Sequence, residues 1–349
     1  MAYTTIDKPS DYFDSKLYNA TASNLSITGL DFAPNWIWIK SRNVTGDHSI
    51  FDSVRGTGKQ LQSNTNGAEF TTADALSAFN SDGFSITGTG NNYTNRDGRT
   101  YVAWNWKAGT SFTNDASSTG IGDIDSDGSV SATAGFSIAK FTTTGSSVQT
   151  VAHGLGSIPD MYIVKGRANG TNWFVYHKDI GNTHYLKLNE TEAKTDNPMW
   201  GDTSPTSTVF SINPDNFGAT TSIGYFFKSI KGYSKFGSYK GNGNVDGTFV
   251  YTGFKPAWLM IKETDAIGSW VIKDNKRENP FNTVTGSLFA QDNSAENSQT
   301  ALYIDFLSNG YKIRGTSGSI NTSGSNHIYM AFAENPFVTG SSAIPTTAR

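Results

Sequence analysis

The chain has 349 residues, a formal net charge of −3 and no cysteine. Without cysteine, neither disulfides nor thiolate metal sites can stabilise the fold. A weakly acidic chain offers no basic field for phosphates, which argues against nucleic-acid binding. Its longest apolar runs fall far short of the roughly 20 residues that a membrane span needs. For this length, about three domains of about 100 residues each are expected.

One strand motif occurs three times along the chain. Each copy has a proline, one spacer, four apolar or aromatic residues and a lysine: Pro34–Lys40, Pro159–Lys165 and Pro256–Lys262. Self-similarity at a long period indicates repeated structural units. In the first copy, Trp36 and Trp38 alternate with Ile37 and Ile39, so both faces of the strand are apolar. We therefore expect this strand to be covered on both sides, by its own sandwich and by a neighbouring unit or subunit.

Further matches follow each copy of the motif. A second strand-like run comes next, then leucine, an amide residue and alanine at fixed spacing, and each unit closes on an aromatic strand: Tyr101–Trp106, Ile223–Phe227 and Tyr329–Phe332. Short β-branched and aromatic runs separated by Gly, Asn and Asp turns are typical of antiparallel sandwiches. The sequence predicts an all-β protein of three tandem, related antiparallel β-sandwich units.

The spacing of the motif sets the predicted boundaries. The first two prolines lie farther apart than the second and third, and the excess falls in a segment rich in Ser, Gly, Thr and Asp. We predict a first sandwich with an N-terminal strand, a polar linker, two further sandwiches and a C-terminal arm or tail. The corresponding ranges are 1–110, 111–135, 136–232, 233–337 and 338–349.

The predicted linker contains a pattern found in calcium loops. Asp123, Asp125 and Asp127 alternate before a glycine, as in the first half of such a loop. The twelfth position is Ala134, so the bidentate acid is missing. A polar linker with an Asp-Gly turn is the favoured interpretation, and calcium binding by the three aspartates stays open.

No arrangement of residues nominates an active site. The five histidines are scattered, no nucleophile-elbow or metal-binding helix motif occurs, and paired acids for glycoside hydrolysis would leave no recognisable spacing. The repeated pairs Asp52/Arg55 and Asp274/Arg277 are replaced by His177 and Ile180 in the second unit. A salt-bridged turn is favoured for them over a glycan-binding carboxylate. We expect a non-enzymatic protein without cofactor or metal.

Most tryptophans occupy equivalent repeat positions on strands, which favours core packing. Trp200 differs, because it lies in a loop peculiar to the second unit. Loop tryptophans can stack on a sugar face or insert into a partner, so Trp200 is a weak candidate for ligand binding.

Several long motifs resemble a known family. They are Met1–Asp7 with Tyr12-Phe13, Phe51–Gly56, Phe79–Phe84, Tyr101–Gly109, His153–Gly156, Gly232–Gly237 and Tyr329–Phe337. Together they resemble uncharacterised virion proteins of tailed marine bacteriophages, including cyanophages, over nearly the whole chain. The resemblance implies tail-fibre-like or structural proteins built of jelly-roll or concanavalin-like lectin sandwiches. It carries no catalytic motif.

The resemblance and the composition give one functional expectation. The protein is expected to be a structural component of a phage virion, a tail-fibre-like or surface appendage protein assembled in the host cytoplasm. Two alternatives stay open: an adhesin that binds host surface glycan as receptor, and a capsid decoration protein. The expected partners are other virion proteins and further copies of the chain. Tail or capsid location and oligomeric state are left open.

Overall fold

The computed structural model describes residues 3–72, 75–88, 93–145, 147–277, 281–340 and 345–347. The protein is all-β, with 44% strand and 5% helix, and its sheets are antiparallel. The predicted fold class is confirmed at this level. Below, the described residues within 3–109, 110–232 and 233–337 are called the first, second and third segments, and strands are counted among these residues.

The first segment contains nine strands. They are β1 (Phe13–Asn19), β2 (Leu25–Ile27), β3 (Trp36–Ser41), β4 (Ser49–Asp52), β5 (Lys59–Gln60), β6 (Phe70–Thr71), β7 (Leu76–Asn80), β8 (Gly83–Ile86) and β9 (Thr100–Trp106). One sheet has the order β1-β9-β3-β4 and the other β2-β8-β7, while β5 and β6 pair with each other. A 3-10 turn, Pro9–Asp11, precedes β1.

The second segment contains ten strands. They are β10 (Thr110–Asn114), β11 (Ser126–Ser131), β12 (Phe136–Thr142), β13 (Gln149–Ala152), β14 (Met161–Gly166), β15 (Trp173–His177), β16 (His184–Lys187), β17 (Thr195–Asp196), β18 (Val209–Ile212) and β19 (Thr221–Phe227). The large sheet runs β10-β11-β12-β19-β14-β15-β16-β17, and β13 pairs with β18. Two single-turn helices are α1 (Ala116–Thr119) and α2 (Pro214–Phe217).

The third segment contains nine strands. They are β20 (Ser234–Lys240), β21 (Phe249–Tyr251), β22 (Phe254–Glu263), β23 (Val271–Asp274), β24 (Gly286–Phe289), β25 (Asn297–Ser298), β26 (Ile304–Leu307), β27 (Gly310–Ile313) and β28 (Asn326–Pro336). The sheets are β20-β28-β22-β23-β24-β25 and β21-β27-β26. A 3-10 turn, Thr300–Leu302, and α3 (Gly318–Asn321) complete the segment.

The three proline motifs form the corresponding strands β3, β14 and β22, and the motif residues of each strand are buried on both faces. All six residues of β3 are buried. Ile37 and Ile39 point into an apolar cluster within the first segment. Trp36 and Trp38 point the other way, into a cluster that also contains residues of the second and third segments. The expectation that this strand is covered on both sides is confirmed, and its second cover is the rest of the same chain.

Aromatic rings from all three segments meet in that shared cluster, which we call the central core. The ring of Trp36 lies 4.3 Å from that of Trp106 and 4.8 Å from that of Tyr225 in the second segment. The Trp106 ring lies 5.6 Å from Trp258 in the third segment. Each segment also has a separate apolar cluster between its own sheets. The described residues thus form one shared cluster and one further apolar cluster in each segment.

The segment 111–135 is not a linker, which corrects the sequence-based prediction. Strands β10 and β11 pair with each other, and β11 pairs with β12 along six residues, Ser126–Ser131. This hairpin extends the large sheet of the second segment by two strands. Strand pairing needs only backbone hydrogen bonds, so a polar sequence can form it at a sheet edge.

The described part of the predicted C-terminal arm folds back on the body. Val338 forms a bridge with Pro345, and the Thr346 N–H donates to the carbonyl of Phe337. The Gly340 N–H donates to the Asp7 carboxylate. Residues 341–344 and 348–349 of this predicted arm lie outside the described residues.

Candidate functional site

The three motif lysines are fully buried and hold the segments together. Lys40 donates to the carbonyl of Ser294 in the third segment, at 2.8 Å. Lys165 donates to that of Asn66 in the first, and Lys262 to that of Thr191 in the second, both at 3.2 Å. Burial lowers the pKa of each lysine to about 8. The lysine bonds thus link the segments in a head-to-tail ring. The first segment donates to the third, the third to the second and the second to the first.

A second set of contacts repeats the same ring through the backbone. The N–H groups of Glu296, Glu69 and Lys194 donate to the carbonyls of Arg42, Arg167 and Thr264, at 2.7, 2.8 and 2.9 Å. Each donor lies one residue after the alanine of the repeated Leu-amide-Ala run. Each acceptor lies two residues after a motif lysine. The repeated positions therefore form contacts between segments.

Ion pairs accompany these backbone contacts, with their charges reversed in one of the three. Arg42 pairs with Glu296 at 2.7 Å and Arg167 with Glu69 at 2.9 Å. At the remaining contact the loop residue is Lys194, and it pairs with Asp265 at 2.5 Å. At the loop position lysine replaces glutamate. Asp265, next to Thr264, provides the opposite charge that arginine provides at the other two contacts. Charge complementarity is thus retained at all three contacts.

The side chain at the start of the second repeated strand also bonds across the segments. The Nε1 atoms of Trp173 and Trp270 donate to the carbonyls of Gln62 and Lys187, each at 2.8 Å. His48 holds this position in the first segment, and its Nε2 lies 2.9 Å from the Phe289 carbonyl. Its Nδ1 accepts from Trp38 at 2.7 Å, which fixes the neutral tautomer. Protonation of Nδ1 would break that bond.

We expect mild acid to destabilise the protein through its buried histidines. Burial lowers the pKa of His48 to about 3 and those of His153 and His177 to about 4. In the unfolded chain they titrate near 6.5. As pH falls, the unfolded state therefore takes up protons before the folded state does. The contribution of the three histidines to the free energy of unfolding is complete above pH 6.5 and is lost as pH falls towards 4. The free energy of unfolding, measured with urea, should fall by about 2 kcal/mol per histidine between pH 7.5 and pH 4.5.

One variant isolates the contribution of His48 to this pH dependence. His48→Gln removes the titrating group, so its free energy of unfolding should fall less steeply with decreasing pH than that of the unmodified chain. Equal free energies of unfolding at pH 7.5 and 4.5 for the unmodified chain would contradict the expectation.

The repeated Asp/Arg pairs are buried salt bridges that also reach a neighbouring segment. Arg55 Nε lies 2.5 Å from Asp52 Oδ2, and neither side chain is exposed. The Tyr225 hydroxyl of the second segment donates to the same oxygen at 2.7 Å. In the third segment, Trp104 of the first donates to Asp274 at 2.8 Å. The salt-bridged turn is confirmed, and these carboxylates are too deeply buried to contact a glycan.

In the second segment His177 replaces the acid, and the residue that faces this position in the ring lacks a donor. Strand pairing makes Met330 the counterpart of Trp104 and Tyr225. Methionine has no N–H or O–H to donate. A buried carboxylate at position 177 would then lose the bond that Asp52 and Asp274 each receive. His177 stands there as a neutral side chain instead, its Nδ1 accepting from the Asp179 N–H at 3.2 Å.

Trp200 is not exposed, and this corrects the prediction that it could bind a ligand. Its side chain is 0% exposed and belongs to the apolar cluster of the second segment. Nε1 donates to the carbonyl of His184 at 3.0 Å, and the ring meets Tyr162 edge-on at 4.9 Å. Although the residue lies outside the strands, its large apolar ring fills the gap between the sheets.

The three aspartates of the calcium-like pattern have separate partners. Asp123 accepts from the N–H and hydroxyl of Thr150, both at 2.7 Å, and Asp125 accepts from the Ala116 N–H at 2.9 Å. Asp127 pairs with Lys140 on the adjoining strand at 3.0 Å. Among the residues that the structure describes, no group of three His, Cys, Asp or Glu side chains could hold a metal ion. The pattern stabilises the β10–β11 hairpin.

A surface groove of about 410 Å³ lies along β20 and β21 of the third segment, and we call it the β20 groove. Phe249 and Tyr251 on its rim are 44% and 48% exposed. Lys235 donates to the Tyr251 carbonyl at 2.6 Å, and Lys178 and Asp179 reach the groove from the second segment. Sequence reasoning missed this surface. In Phe249-Val250-Tyr251 all three side chains are apolar or aromatic, so the pattern does not show which face is exposed.

One family model matches almost the whole chain. Its description is "Domain of unknown function (DUF7483)", and it matches residues 8–336. The chain belongs to this family. Comparison with curated proteins and with solved structures gives no match. The matched range includes the β20 groove and every residue of the ring of contacts between segments. Within the described ranges, no helix is long and apolar enough to span a membrane.

Proposed function

We propose that the protein is a non-enzymatic structural component of a tailed-phage particle, a tail-fibre-like or surface appendage protein. The observation that carries this proposal is the central core, in which rings of all three segments meet. The sequence motifs that resemble phage virion proteins support the proposed location in the particle. Other virion proteins and further copies of the chain are its proposed partners.

We also propose that the three segments are copies of one sandwich unit. The motif strands, the buried lysines and the loop-to-strand backbone bonds recur in the same order around a closed ring. Head-to-tail contacts that close after a fixed rotation are how separate subunits form a cyclic oligomer. Joining three units in one chain gives the same closed ring of contacts. The outer sheets and edges of the units are then free to contact other particle proteins.

Purified particles test the proposed location. Mass spectrometry of density-purified, infectious particles should find the chain at constant copy number per particle. Antibodies against the folded protein should label one defined position by immunogold electron microscopy, on the tail for an appendage or over the shell for a capsid decoration protein. If the chain is found in the lysate but not in the purified particles, the proposal is wrong.

A host-glycan-binding adhesin is a second candidate, favoured by the exposed rings of Phe249 and Tyr251. Adjacent exposed aromatic rings can stack on sugar faces, and Asp179 and Lys178 offer polar contacts in the same groove. Tyr251→Ala should reduce binding to a glycan array or to host cells by about tenfold or more. Ile267→Ala, at a side chain that is 76% exposed elsewhere on the third segment, is the control. Binding that is absent, or equal in both variants, would exclude this site.

A further inference from the structure

Strands β12 and β20 occupy equivalent places in their sheets, but only one of them is covered. In the second segment, β12 pairs with the closing strand β19, which pairs in turn with the motif strand β14. In the third, β20 pairs with the closing strand β28, which pairs with the motif strand β22. The other edge of β12 is covered by β11 and then β10, whereas β20 is the last strand of its sheet.

The backbone of β20 has open groups at the middle of this edge. The Phe236 N–H donates to the Ser229 hydroxyl at 3.2 Å, and the Lys240 carbonyl accepts from the Thr248 hydroxyl at 2.7 Å. These bonds show that residues 236 and 240 direct their backbone groups away from β28. Because the direction alternates along an antiparallel strand, Ser238 does the same. Its N–H and carbonyl face the β20 groove.

The chemistry of the groove indicates what kind of strand it would take. Lys178, Lys235 and the carboxylate of Asp179 line it, and Lys178 also pairs with Asp160 at 3.3 Å. Burial and the charge of Lys178 lower the pKa of Lys235, as expected for two cations near each other. In the second segment the covering strand β11 is polar and small, and its Asp127 pairs with Lys140 of β12. Position 140 corresponds to Ser238 in the shared register.

The open edge at the same place in the first segment has a different side chain at its middle. Strand β1 holds the same place in the first segment, next to β9. Its Ser15 N–H donates to the Asp14 carboxylate at 2.8 Å, as Phe236 at the matching position of β20 donates to Ser229, and Lys16 pairs with Asp14 at 2.9 Å. In the shared register Leu17 takes the place of Ser238, so an apolar side chain rather than a hydroxyl lies at the middle of this edge.

We propose that β20 is an assembly edge that takes an extended, acidic and polar β-strand of another particle protein as an added antiparallel strand. The strand β11 is the model within the same chain for that occupant. Main-chain hydrogen bonds would supply most of the affinity, and the rim rings of Phe249 and Tyr251 would cover its side chains. The inference rests on the proposed assembly function and names the contact by which assembly occurs.

The test uses the full chain and a fluorescent peptide of residues 123–133, which contains β11. Fluorescence anisotropy should show saturable binding. Ser238→Pro removes the outward N–H and should weaken binding by at least about tenfold, while Ser238→Ala keeps it and should bind as the unmodified chain does. Gly237 precedes the new proline and is already in a strand, so the extended backbone that proline requires is present.

Variants of the peptide keep the test decisive even if Ser238→Pro fails to fold. Along β11, residue 129 directs its N–H towards β12, and residue 130 directs it towards β10. A peptide with Ser129→Pro should therefore lose binding, and one with Val130→Pro should retain it.

Three results would overturn the proposal: no saturable binding, equal binding by the Ser238→Pro and Ser238→Ala proteins, or equal binding of the two proline peptides. Glycan binding that depends on Tyr251, without peptide binding, would assign the groove to a sugar instead. Each of these is distinct from failure of the proposed function, which is decided by the presence of the chain in purified particles.

Discussion

Trp36→Ala is expected to lower the free energy of unfolding by about 3–5 kcal/mol, the range measured when large buried aromatic residues are truncated. Trp36 is 1% exposed and stacks on Tyr225 of the second segment, while it also touches Trp106, which touches Trp258 of the third. The cavity would therefore open where the segments meet. Urea unfolding followed by fluorescence and by circular dichroism measures the loss.

The control for this variant is Ile267→Ala, at the exposed site already described. Exposed substitutions of this kind change the free energy of unfolding by about 0.5 kcal/mol or less. Hydrogen exchange should then show faster exchange in all three segments of the Trp36→Ala protein. Loss of protection in the first segment alone would contradict the central core as a shared structure.

Asp52→Ala is expected to cost about 3–5 kcal/mol, because it leaves the Arg55 guanidinium buried without its main counter-charge. Asp52 accepts from the backbone N–H groups of residues 54 and 55 as well as from Tyr225. Glu69 remains 3.0 Å from the guanidinium, but at Nη1 rather than at Nε. Thermal and urea unfolding measure the change.

Two comparisons sharpen this prediction. Asp127→Ala removes an exposed carboxylate paired with Lys140, and exposed pairs contribute about 0–1 kcal/mol. Tyr225→Phe removes one hydrogen bond to a charged group, worth about 1.5–3 kcal/mol. In a double-mutant cycle, Asp52→Ala and Tyr225→Phe should be less than additive, since both remove the same bond across the segments. Additive losses, or equal losses for Asp52→Ala and Asp127→Ala, would contradict this account of the pair.

The sequence contained enough information to locate the motif strands but not to arrange them. Alternating apolar residues on both faces of Trp36–Ile39 indicate two covers, since exposing either face would be costly. They do not say whether the second cover is another segment or another subunit. That depends on how rings far apart in sequence fit together, such as Trp36 with Tyr225. The Asp/Arg pairs were predictable because their partners are three residues apart.

Two predictions failed for physical reasons that a single sequence does not display. The strand β11 reads Ser126-Asp127-Gly128-Ser129-Val130-Ser131 and has one apolar residue, because it belongs to a hairpin that extends the sheet rather than covering a core. Trp200 lies outside the strands, yet its ring enters the sandwich. The polarity of β11 and the loop position of Trp200 can be read from the local sequence. The surroundings of their side chains depend on tertiary packing, which the local sequence does not display.

Differential scanning calorimetry of the unmodified chain tests most directly whether three sandwiches share one core. A shared core predicts one unfolding transition in which the calorimetric enthalpy equals the van't Hoff enthalpy, because no segment keeps its large sheet covered once another unfolds. Two or three resolved transitions, or a calorimetric enthalpy well above the van't Hoff value, would show that the segments unfold separately and would contradict the central core.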